Sequence, residues 1–149
     1  MKNIYLITGI ILITHLFGCK KPNEKTKVVY YEFLLNNQSD NSVTLNLYKR
    51  DATLYNSTFI DSNQTQLIDS GNFYFPLGGP DFYLTSKIDS AEFIFKDGKK
   101  LVMQTYPVNG VLDTINNVTL IGYYKLIKET NDNRTFLFTL TQSDYLRAK

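Results

Sequence analysis

Apolar and polar positions alternate along most of the chain with a period of two, the pattern of strands that bury one face. Val43, Leu45 and Leu47 alternate with Thr44, Asn46 and Tyr48. Residues 28–35 (VVYYEFLL) are apolar on both faces, which fits a buried strand. The cluster NNQSDN at 36–41 is turn chemistry, so these two strands are expected to form a hairpin. Between 51 and 70, Leu54, Phe59, Leu67 and Ile68 are separated by polar residues and predict two edge strands. Ser70-Gly71-Asn72 predicts a turn. Phe73-Tyr74-Phe75 predicts a short strand stopped by Pro76, residues 77–80 (LGGP) a loop, and Phe82-Tyr83-Leu84 another short strand.

Residues 91–104 carry the sharpest signal. Asp97-Gly98 marks a hairpin turn, and the side chains fix the loop length. A two-residue loop sets Phe95 opposite Lys100 and mixes charge into the apolar face. A three-residue loop, Lys96-Asp97-Gly98, sets Phe93 opposite Leu101 and Ala91 opposite Met103. Phe93, Phe95, Leu101 and Met103 then share one face, and Glu92, Lys100 and Gln104 the other; a slip of one residue swaps the faces. A type I turn with Gly98 left-handed at a bulge follows.

Residues 107–117 read as a loop with Asn109-Gly110 as a turn, 118–128 as a long strand and 135–141 as another. Asn131-Asp132-Asn133 turns between them. Pairing Leu126 with Phe136 and Tyr124 with Phe138 aligns their apolar faces and asks for a loop of about five residues. Ile121, Tyr123, Ile127 and Leu137 then point the other way, either under a covering element or into an exposed apolar patch. Thr141-Gln142-Ser143-Asp144 is an N-cap with an acid at the third position, predicting one helical turn that carries Tyr145 and Leu146. The expected fold over 28–149 is all-β: an antiparallel β-sandwich, immunoglobulin-like or a similar Greek key, with a short C-terminal helical turn.

The first stretch has a different pattern. Lys2 precedes fourteen mostly apolar residues, Ile4 to Phe17, with the charge and length of a secretion signal. That run is shorter than the about 20 residues a membrane span needs. It ends in Leu16-Phe17-Gly18-Cys19, followed by two lysines. This junction resembles the lipobox of bacterial lipoproteins. The resemblance implies cleavage before Cys19, acylation of the Cys19 thiol and attachment to the membrane through that lipid. Residues 1–18 are then a signal peptide and 19–27, polar and broken by Pro22, a lipidated tether.

Composition matters chiefly through what the mature chain lacks. The full chain has 149 residues, net charge +2, one Cys, one His and no Trp. Removing residues 1–18 takes away Lys2 and His15 and leaves a charge of about +1, which favours neither nucleic acid nor an acidic polymer as partner. With no imidazole and no free thiol there is no Ser-His-Asp or Cys-His triad and no His- or Cys-ligated metal. The acids stand singly in turns, and no Asp-x-Asp-x-Asp-Gly run suggests calcium. No cofactor, metal or catalytic residue is expected.

Three further segments carry a family resemblance: Tyr31-Glu32-Phe33 leading into Asn36-Asn37, residues 88–99 (IDSAEFIFKDGK), and Thr141-Gln142-Ser143-Asp144-Tyr145. Their order resembles small lipoproteins of Bacteroidota with no assigned function. It implies a β-sandwich on a lipid tether at the outer membrane, on its periplasmic or its surface face, and brings no site residues. The functional expectation is a non-catalytic binding or structural module with an envelope protein or glycan as partner. The alternative is a glycan-binding accessory domain using exposed tyrosines, with Tyr74, Tyr83 and Tyr123 as candidate ligand-surface residues. A carboxylate-dependent hydrolase is a third reading, although no motif pairs two acids.

Overall fold

The computed structural model describes residues 27–75, 87–105 and 116–149. Among the described residues, eight strands form two four-stranded sheets. The strands are β1 (Lys27–Asn37), β2 (Val43–Tyr48), β3 (Leu54–Ile60), β4 (Thr65–Phe75), β5 (Ser90–Phe95), β6 (Lys100–Gln104), β7 (Lys125–Glu129) and β8 (Asn133–Leu140). A helix, α1 (Gln142–Arg147), follows β8. Sheet A has the order β4-β1-β8-β7 and sheet B the order β3-β2-β5-β6. The expected all-β sandwich with a C-terminal helical turn is the observed architecture. The signal stretch, Cys19, the tether up to residue 26, Tyr83 and the Asn109-Gly110 turn lie outside the described residues.

The core lies between the sheets. Sheet A contributes Val29, Tyr31, Phe33 and Leu35 from β1, Ile68 from β4, and Phe136, Phe138 and Leu140 from β8. Sheet B contributes Val43, Leu45 and Leu47, Ile60, Ala91, Phe93 and Phe95, and Leu101 and Met103. The Phe33 ring stacks on Phe136 at 5.6 Å and meets Tyr124 edge-on at 5.7 Å. Burying each of these large side chains contributes about 1.5–3 kcal/mol. β1 sits at the centre of sheet A, which explains why its outward side chains Tyr30, Glu32 and Leu34 are also half-buried.

The β5–β6 hairpin has the expected register, Phe93 opposite Leu101 and Ala91 opposite Met103. Gly98 has φ 89°, and its N–H donates to the Phe95 carbonyl at 2.9 Å. At the other hairpin, Leu126 pairs with Phe136 as expected. A bulge at Ile127 takes up one residue, so the loop is shorter than five.

Four expectations change. First, β1 and β2 do not pair: they lie in different sheets. Residues 38–42 form an arch rather than a hairpin turn, beside a second arch at 61–64 between β3 and β4. Asn37, fully buried, joins the two. Its Nδ2 donates to the carbonyls of Asn41, Ile60 and Asp61, and its Oδ1 accepts from the Ser39 N–H and hydroxyl. Second, Ser70-Gly71-Asn72 is no turn; β4 runs straight through it, paired along β1. An edge strand tolerates Gly and Asn because one flank needs no partner. Third, the long strand over 118–128 is replaced by a side-chain-capped turn, a 3-10 turn (Ile121–Tyr123) and the short β7. Asn117 Oδ1 accepts from the Thr119 N–H and hydroxyl, and such local bonds compete with strand ladders. Fourth, five of the six strand pairings are antiparallel, but β1 and β8 pair in parallel, Tyr30 opposite Asn133 through Asn37 opposite Leu140.

Candidate functional site

Two bulges shape the edge where β3 lies over β4. Leu47 pairs with Asn56 and Tyr48 with Leu54, so Tyr55 is the extra residue of β3. Phe33 pairs with Asp69 and Leu34 with Leu67, so Ile68 is the extra residue of β4. Bulges re-aim side chains. Here they set Tyr55 and Asp69 facing each other across the sheets. The Tyr55 hydroxyl donates to Asp69 Oδ1 at 2.9 Å, and Lys87 Nζ donates to the Tyr55 oxygen at 3.3 Å. Lys87 Nζ also stands 3.9 Å from Asp69 Oδ2. Asn56 Nδ2 adds a bond to the Ile68 carbonyl at 2.7 Å.

Burial pushes the Tyr55 phenol up, and its bond to Asp69 and the Asp69 charge add to the shift, against the opposing Lys87. The Tyr124 phenol is raised well above its ordinary value, by burial and then by the charge of Asp69. Both phenols are therefore poor sources of phenolate near neutrality. The Tyr55–Asp69–Lys87 cluster is a clasp between sheets in which Asp69 Oδ2 is buried without a hydrogen bond, 3.9 Å from Lys87 Nζ.

The outer face of sheet B is the second place where polar groups converge. Strand register lays its side chains out in rows: Phe59, Thr44, Ile94 and Lys100; then Ser57, Asn46, Glu92 and Val102; then Leu54, Tyr48, Ser90 and Gln104. A groove of about 290 Å³ opens here, lined by Tyr48, Ala52, Ser90, Ala91, Glu92 and Val102. Val102 is 51% exposed. Glu92 is held from both sides: the Tyr48 hydroxyl donates to Oε2 at 3.2 Å and Lys100 Nζ to Oε1 at 3.1 Å. Burial pushes the Glu92 carboxyl up. The bonds from Lys100, Asn46 and Tyr48 and the Lys100 charge outweigh that, so it lies below its ordinary value and is ionised. The groove therefore offers a fixed carboxylate, a tyrosine, a serine and an aliphatic wall on a rigid sheet.

Of the tyrosines expected to form a ligand surface, Tyr83 lies outside the described residues. Tyr74 lies in β4 opposite Val28. Tyr123 lies in the 3-10 turn, partly buried against the core. Ile121 also packs on the core, whereas Ile127 is exposed. Tyr48 and Glu92 were legible only as outward positions of half-buried strands. Among the described residues, no three His, Cys, Asp or Glu side chains converge on a metal position. The chain matches no protein-family model, no characterised protein and no solved structure. Fold and site thus define it as an all-β sandwich with a groove on one outer sheet face.

Proposed function

We propose that the protein is a non-catalytic binding module, tethered by lipid on Cys19 to the outer membrane of a bacterial envelope, that meets an envelope protein or polymer on the outer face of sheet B. The groove beside Tyr48 carries this reading. Apart from Ala91, its lining residues stand outside the core, yet Glu92 is fixed there by hydrogen bonds from two strands. Sites on regular strands hold their geometry better than sites on loops. The Tyr55–Asp69–Lys87 clasp is read as structural, because the Tyr55 hydroxyl is bonded to both Asp69 and Lys87. The anchor rests on the Gly18-Cys19 junction after the apolar run.

Intact mass of the membrane-extracted protein, beside a Cys19→Ala variant, tests the tether. The expected product lacks residues 1–18 and carries acyl mass on Cys19; an unmodified full-length product removes the anchor. A photo-crosslinker at position 102, with one at the exposed Leu146 as control, tests the surface in intact envelopes. An adduct of defined mass specific to position 102 is expected. Adducts at neither position, or equally at both, overturn the assignment of the face.

A further inference from the structure

The hairpin between β2 and β3 repeats the hairpin between β5 and β6. In one, the Ala52 N–H donates to the Lys49 carbonyl and the Lys49 N–H to Thr53; in the other, Gly98 donates to Phe95 and Phe95 to Lys99, all at 2.9 Å. Asp51 Oδ1 accepts from the Thr53 N–H as Asp97 Oδ1 accepts from the Lys99 N–H. The position that needs left-handed backbone is Gly98 in one hairpin, φ 89°, and Ala52 in the other, φ 62°. Side chains resist that conformation, and glycine does not. Strain of this kind persists where the side chain has a use. Ala52 is part of the lining of the groove beside Tyr48.

We infer that this groove binds a neutral saccharide ring and that Ala52 is kept in its strained conformation to shape the wall. The inference rests on the binding-module reading above and names its ligand class. The chemistry of the lining selects the occupant. Lys100 already balances the Glu92 charge at 3.1 Å, so an ionic ligand gains little there. Tyr48 and Lys100 use two of the carboxylate's about four acceptor sites, leaving capacity for a ligand hydroxyl. Ser90 adds a hydroxyl that both donates and accepts. Val102, Ala52 and the Tyr48 ring offer apolar surface to the C–H face of a sugar. The volume lies at the lower end of ligand pockets, about 300 Å³, which suits one ring.

The test is a saturation-transfer NMR titration of the full-length protein in detergent micelles. The probes are the methyl glycosides of glucose, galactose, mannose and N-acetylglucosamine, with glucuronate and glucosamine as charged controls. At least one neutral glycoside is expected to bind saturably and more tightly than both controls. Glu92→Gln and Tyr48→Phe should each weaken it about fivefold or more, whereas Phe59→Ser, on the same face but outside the groove, leaves it unchanged. Ala52→Gly should weaken binding while raising the melting temperature by about 2–4 °C. Absence of saturable binding by every neutral glycoside, or tighter binding of a charged control, overturns the saccharide assignment. If position 102 still crosslinks to an envelope partner in that case, the binding module stands and only its ligand class falls. Ala52→Gly that binds normally removes the shaping role of the methyl.

Discussion

Ala52 and Gly98 occupy equivalent corners of two hairpins and differ by one methyl group, so the chain contains its own control experiment. Gly98→Ala forces a side chain into left-handed backbone with nothing gained, and should cost about 1 kcal/mol. Ala52→Gly relieves the same strain and should contribute about 0.5–1 kcal/mol of stability. Urea melts of the two variants check both signs; equal effects in one direction would show that the hairpins are not equivalent. Glu92 gives a residue-scale prediction in pH. Its folded pKa is depressed below the ordinary 4.5. The stability it contributes is therefore complete above about pH 4.5 and lost as pH falls through the lower folded value. Glu92→Gln should flatten part of the stability loss in acid melts over that window and leave the curve above it parallel to wild type.

At the scale of elements, the β5–β6 hairpin was legible because two signals agreed. Asp97-Gly98 supplied the turn, and the apolar face chose the three-residue loop over the two-residue one. The helical turn was legible for the same reason, since Thr141 and Asp144 form a reciprocal capping box. The relation of β1 to β2 was not. Alternation says which face of a strand is buried but not whether its neighbour pairs beside it or stacks above it. That choice is made by Asn37, whose side chain satisfies five partners at the corner and ties one arch to the other. Asn37→Asp turns its donor toward three carbonyls as an acceptor. It should destabilise by about 2–4 kcal/mol, more than Asn37→Ala, and recover partly in acid as the new carboxyl protonates. Denaturant melts at two pH values check this order. In α1, Asp144 is buried and accepts from Thr141, Asn116 and Arg147. Asp144→Ala should loosen the helix at a cost of about 2–3 kcal/mol. It should also raise amide exchange at Lys100, whose N–H donates to the Lys149 carbonyl at 2.7 Å. Unchanged exchange there would mean that the helix does not hold this sheet edge.

Across the whole molecule, the two sides of the sandwich are held by different means. On the β6 side the backbone of Lys149 pairs with Lys100 in both directions, and the Tyr145 hydroxyl binds Asp97 at 2.7 Å. On the β3–β4 side the clasp of Tyr55, Asp69 and Lys87 spans the sheets. This clasp was invisible in the sequence, because bulges leave no mark in composition and its three residues come from separate segments. Tyr55→Phe keeps the ring and removes the hydroxyl, leaving Asp69 Oδ1 without its 2.9 Å donor. It should cost about 1–3 kcal/mol, with amide exchange rising first in β3 and β4. Uniform opening of both sheets would instead mark the domain as one cooperative unit. β7 is exposed along its whole length, and its lysines 125 and 128 are the charges that keep an edge strand from pairing with other chains.

The parallel pairing of β1 with β8 sets the order in which the protein can come into being. The hairpins of sheet B join near neighbours, but the centre of sheet A joins Tyr30 to Asn133. Contacts so far apart in the chain make folding slow, in the range of milliseconds to seconds. A chain emerging from its N-terminal end presents β1 first and its central partner last. Until residue 133 arrives, one flank of β1 stays unpaired. A chaperone that shelters an exposed strand would therefore find its substrate in this interval, and a chain cut short before Asn133 would never leave it.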